Sequence, residues 1–174
     1  MRRRLVSLMA LAVLAAGCAS ADAGHRPAVD ERVDVWFAQH MVPHLLQDTS
    51  IAYLTRYRLT DPALARLAGT IHRRGQARAT WLLQWLAERG LAPHGHSHQR
   101  GDTLRQGDLE RLSQLKEPAL EAAFAEVMTA RNRAGGALAT TEARDGAVPE
   151  LRQLARQLLA EQRAQRAITR RVRA

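Results

Sequence analysis

Met41 and His44 stand three residues apart, with Asp48 four further on, so a thioether, an imidazole and a carboxylate fall on one side of a helix. A thioether with an imidazole suits Cu(I), and imidazole suits several transition metals. Two such ligands do not hold an ion tightly, and a site here needs a third from another element. Filling an apolar core is the alternative use of Met. Asp48 is the more demanding residue, because a carboxylate on an apolar face protonates unless a partner meets it. A second cluster is His94-Gly-His96-Ser-His98. Its imidazoles project to one side of an extended chain and suit Cu(II), Ni(II) or Zn(II), with a solvated loop as the alternative. His40 and His72 fall off the apolar stripes and are expected at the surface.

The elements that position these groups follow an N-terminal leader. Arg2, Arg3 and Arg4 precede an apolar run from Leu5 to Ala16, too short to span a bilayer and patterned for secretion. Leu14-Ala15-Ala16-Gly17-Cys18 resembles a bacterial lipobox, with Ala15 where Leu is usual. That resemblance implies removal of residues 1–17 and acylation (palmitate or a similar chain) of Cys18, the chain's single Cys. Ala19 after the Cys points to the outer membrane, with the protein facing the periplasm. Ordinary cleavage after Ala21 or Ala23 is the competing reading. Residues 18–30 read as a tether, and 31–173 as the folded part.

Within it, Val33, Phe37, Met41, His44, Asp48, Ile51 and Thr55 recur at helical steps. Thr60-Asp61-Pro62 breaks and restarts the helix, with a cap and a Pro in the first turn. Leu64, Leu67, Ile71, Gly75, Leu82 and Leu86 form the next stripe, which Gly90 and Pro93 end. Pro43, in mid-helix, removes a backbone donor and frees a carbonyl. A shift of 87 residues carries Phe37 onto Phe124, Met41 onto Met128, Pro62 onto Pro149, and Leu64 and Leu67 onto Leu151 and Leu154. The coincidences fall on the stripes and the helix-starting Pro, which is the mark of an internal repeat. Two hairpins (about 31–89 and 119–173), joined by a linker (90–118) with a short helix near 106–116, imply an all-α four-helix bundle. The repeat sets Met128 opposite Met41 and turns Arg131, equivalent to His44, inward. An ion pair between Arg131 and Asp48 is the expected result.

Phe37-x-x-x-Met41-x-Pro43-His44, then Asp61-Pro-x-Leu-x-x-Leu-Ala-x-x-Ile71 and Trp85-Leu86, resembles the domain of unknown function 305 family. A second copy runs Phe124-x-x-x-Met128, then Pro149-x-Leu-x-x-Leu-Ala-x-x-Leu158. The resemblance implies an exported protein with a ferritin-like bundle, and in some members copper binding through Met and His. In that pattern Met41, His44 and Met128 are the ligand candidates. The family's paired histidines are here His44 and Leu45, then Arg131 and Asn132. Its later Met is Ile51 and Leu138, and its Gln-x-x-Glu is Gly75 and Arg78, then Gln162 and Gln165. Packing positions persist where ligand positions have changed, which implies a decayed metal site.

The formal charge is +9 over the whole chain, and with the three leader arginines removed, 23 basic residues against 17 acids leave +6. Arg163, Arg166, Arg170, Arg171 and Arg173 offer a cationic face that anionic lipid head groups suit, with simple solvation as the alternative. Nucleic acid fits the charge but not an exported address. No nucleophile–base pair or paired-carboxylate motif is present, so an enzyme is not expected. Two readings result: an envelope scaffold or interaction lipoprotein that meets another envelope protein, or a periplasmic copper or other transition-metal binder.

Overall fold

Aspartate and proline set where the second helix of the first hairpin starts. In the computed structural model, which describes residues 31–94 and 106–171, Asp61 Oδ1 accepts from the Ala63 and Leu64 amides at 2.8 Å, and Pro62 occupies the first turn. This is the capping that orphan helix N–H groups require. The elements are α1 (Arg32–Thr55), α2 (Pro62–Ala87), α3 (Gln106–Gln114), α4 (Ala119–Asp145) and α5 (Pro149–Arg171). Among the described residues there is no strand, and no helix is long and apolar enough to cross a membrane. The chain turns away from α2 three residues past Ala87, at Gly90, whose φ of 67° is open to glycine at little cost, while the Leu91 amide closes onto the Leu86 carbonyl at 2.9 Å.

α1 packs on α2 and α4 on α5, and α1 meets α4 along the seam between hairpins. The bundle is all-α, as the periodicity implied. Its apolar interior divides into two clusters. One gathers Phe37, Ala38 and Met41 of α1 with Leu138 and Ala139 of α4 and Leu151, Leu154 and Leu158 of α5. The other gathers Ile51 and Ala52 with Leu64, Leu67 and Ile71 of α2 and Phe124 and Met128 of α4. The early part of α1 shares a cluster with the late part of α4, and the reverse holds for the other cluster, so these two helices run antiparallel. The 87-residue shift carries Ile51, Leu64, Leu67 and Ile71 onto Leu138, Leu151, Leu154 and Leu158. His44 and Asp48 of α1 and Arg131 and Asn132 of α4 are buried polar residues that belong to neither cluster and lie, in sequence, between the parts of each helix that join one cluster and the other.

The hairpins also hold each other through acids in their opening turns. Asp34 accepts from the Ala147 and Val148 amides at 3.0 and 2.8 Å. Glu121 accepts from the Thr60 and Asp61 amides at 3.0 and 2.6 Å and from the Thr60 hydroxyl at 2.9 Å. The short α3 is fixed by Arg58, which donates to the Leu112 and Leu115 carbonyls near the helix's C-terminal end, where a cation is favoured.

Candidate functional site

Arg131 crosses the seam from α4 and is 5% exposed. Its Nε donates to Asp48 Oδ1 at 2.6 Å and its Nη1 to Gln47 Oε1 at 2.7 Å. Nη2 reaches both the His44 Nδ1 at 2.7 Å and the His44 carbonyl at 2.8 Å. A guanidinium has no acceptor, so His44 Nδ1 receives the bond with its lone pair and the ring proton sits on Nε2. Nε2 lies 3.3 Å from Asp48 Oδ2. Both ring nitrogens of His44 are thereby engaged. Burial pushes the Asp48 carboxyl up, but His44 and Arg131 outweigh it and hold the group below the usual carboxylate range.

Met41 and Met128 are each 1% exposed and belong one to each apolar cluster. Together with His44, Asp48 and Asn132 they line a cavity of about 40 Å³ under α2 and α5, a volume on the scale of a few water molecules. Glu161 of α5 lines the same cavity with Arg74 and Arg78 of α2. It accepts from Arg78 at 2.7 and 2.8 Å and from Arg74 at 2.6 Å. Burial raises the Glu161 carboxyl, while the hydrogen bonds from Arg78 and the two positive charges bring it below its ordinary value.

The site therefore joins five of the residues singled out in the sequence, Met41, His44, Asp48, Met128 and Arg131. Arg131 and Asp48 form the inward pair. His94 lies elsewhere, at the end of the segment that follows α2. Cys18, His96, His98 and Arg173 fall outside the described residues. His40, expected at the surface, is instead 8% exposed, covered from the Trp36 and His94 sides. His72 is half-buried, against Tyr53. Sequence reasoning missed Gln47 and Glu161. Gln47 had no inward signal of its own, whereas Glu161 was visible as the equivalent of Arg74 under the 87-residue shift, an opposite charge at a symmetry-related position.

A cation does not fit the central arrangement as it stands. The lone pair that His44 would offer at Nδ1 is taken by a guanidinium, which is itself a cation and sits among the remaining oxygen acceptors. Among the described residues no three His, Cys, Asp or Glu side chains group as a metal site.

The model of the domain of unknown function DUF305 matches residues 34–172. The chain belongs to the DUF305 family. A DUF305 protein from Streptomyces coelicolor, whose crystal structure is described as that of a secreted protein, superposes with a TM-score of 0.70 at 20% identity, over 79% of this chain and 89% of that one. A DUF305 fragment from Deinococcus radiodurans superposes with a TM-score of 0.71 at 23% identity, over 81% and 95%. CopM in its Cu(I)-bound form gives 0.68 at 18% identity, over 79% and 93%. No curated protein matches the chain. At these identities the likeness establishes the DUF305 bundle fold. It leaves the polar layer to be judged on its own residues.

Proposed function

We propose that this DUF305 protein is a non-catalytic scaffold or interaction module of the cell envelope, lipid-anchored through Cys18, whose ancestral ion position is filled by its own Arg131. The observation that carries this reading is the Arg131 network on Asp48, Gln47 and His44. A fixed internal cation satisfies the same acceptors that a bound ion would, and does so at all ion concentrations. The module then has a constant shape, which suits a surface that other envelope components meet. Export is supported by the leader and by the secreted S. coelicolor relative. Anchoring in the outer membrane, with the cationic α5 face toward anionic head groups, belongs to the same proposal.

The experiment is metal analysis of protein purified from copper-supplemented cells, together with radiolabelled palmitate incorporation into the wild type and Cys18→Ser. The reading expects far less than one copper at the centre and loss of label in the variant. Copper at one equivalent with His44 and Met41 in its coordination shell overturns it.

A second reading, copper binding at Met41, His44 and Met128, draws on the shared cavity and on the Cu(I)-bound structure of the similar CopM. It requires Arg131 to leave His44. Cu(I) titration of Arg131→Met against the wild type distinguishes the two: equal, tight binding by both proteins favours this second reading.

A further inference from the structure

Pro43 has no amide hydrogen, so the Gln39 carbonyl, four residues earlier in α1, has no helical donor. That carbonyl is used: the His94 amide donates to it at 3.2 Å. The Gln39 side chain completes the clasp by donating to the Ala92 carbonyl at 2.9 Å. The segment that leaves α2 is thus pinned across α1 at the one carbonyl the proline frees, and the imidazole of His94 is set against that of His40. Their ring centroids are 4.7 Å apart, edge to face. His40 is already arranged as a ligand. Its Nδ1 lies 2.7 Å from the Trp36 carbonyl, which can only accept, so Nδ1 carries the proton and Nε2 carries the lone pair. A ring N–H given to a backbone carbonyl is the usual support of a metal-bound histidine. Among the described residues Nε2 of His40 takes no hydrogen bond, and His94 is exposed, so its ring is able to turn toward a shared ion.

We propose that His40, buried, and His94, exposed, together form a site for a divalent transition-metal ion, Cu(II) foremost, at the junction of α1 and the segment after α2. Two neutral imidazoles favour Cu(II) over the other divalent first-row metals. Solvent supplies the remaining ligands, which makes this a site for exchange with the surroundings and not for permanent storage. It is separate from the polar layer, contains none of its residues, and is independent of whether Arg131 excludes an ion there.

The test is titration of copper(II) sulfate into the full mature chain, followed by quenching of tryptophan fluorescence, with Trp36 4.6 Å from His40 as reporter, and by electron paramagnetic resonance to count coordinating nitrogens. His40→Gln and His94→Gln are each expected to weaken binding by about 10-fold or more, and each to remove one nitrogen from the spectrum, with the helical circular dichroism unchanged. The variant His96→Ala with His98→Ala is expected to keep the His40 nitrogen in the spectrum. The proposal fails if His40→Gln binds as the wild type does, which assigns binding to the loop histidines alone, or if the wild-type spectrum shows no nitrogen coordination.

Discussion

Gly135 of α4 faces the ring of His44 so closely that a methyl group built on it would lie 2.4 Å from Nε2 and about 3.0 Å from Cδ2. Under the 87-residue shift Gly135 is the counterpart of Asp48. The seam therefore holds a full complement of polar side chains on α1 and a notch on α4. Alanine in place of glycine ordinarily stabilises a helix interior by about 1 kcal/mol. Here the displaced ring is tied at both nitrogens and cannot swing aside. Gly135→Ala is expected to lower stability by about 1–3 kcal/mol, measured by urea unfolding. A gain in stability would show that His44 is not held as described.

Removing one partner of a buried charge pair costs more than removing both. Arg131→Met leaves the Asp48 carboxylate without its guanidinium and should cost about 3 kcal/mol. Asp48→Leu takes from the guanidinium the carboxylate that its Nε meets at 2.6 Å. The double variant should lose less than the sum of the two, with a coupling of roughly 0.5–3 kcal/mol. Additive losses would mean that the two side chains do not act on each other.

Acid and base should act on different carboxyls. Asp48 is lowered in the fold, so its contribution is present above the ordinary carboxylate value and is lost as pH falls through the lower, folded one. Glu142, on α4, runs the other way. It is fully buried, its oxygens have no hydrogen-bond partner among the described residues, and burial, then the negative charge of Asp34, pushes its carboxyl up to about 8. Its contribution is complete below about 4.5, the ordinary value, and is lost as pH rises through about 8. The melting temperature should therefore fall between pH 5 and pH 8 in the wild type, and Glu142→Gln should flatten that slope. Parallel curves for the two proteins would contradict the assignment.

Pro43→Ala restores an amide hydrogen that competes with His94 for the Gln39 carbonyl. The helix should gain up to about 3 kcal/mol, while the segment through His94 loses its attachment. Hydrogen exchange reads both effects at once: slower exchange in mid-α1 and faster exchange at the His94 amide. Unchanged protection at His94 would mean that the proline does not create its docking point.

Much of this was legible before any coordinates, and the reasons are specific. The stripe from Phe37 to Ile51 and its echo from Phe124 to Leu138 declare two helices that share one interior, and Pro62 and Pro149 declare where their partners begin. The Asp48–Arg131 contact was legible because the repeat placed two opposite charges at inward positions. The His40–His94 contact was not. His40 lies off the stripe, and what covers it is a segment attached through a backbone carbonyl, which leaves no trace in side-chain periodicity. Glu142 was hidden for a similar reason. Its counterpart Thr55 satisfies itself by donating to the Ile51 carbonyl at 2.8 Å, so nothing in the pattern warned of a buried acid.

Asp34 and Glu121 are themselves one shift apart, and each seizes the start of the other hairpin's second helix. Neither hairpin contains everything its own turn needs. The duplication has thus become an interlock, in which a fragment with a single repeat has its clasp in hand and nothing to fasten, and could regain a complete turn only from another such fragment.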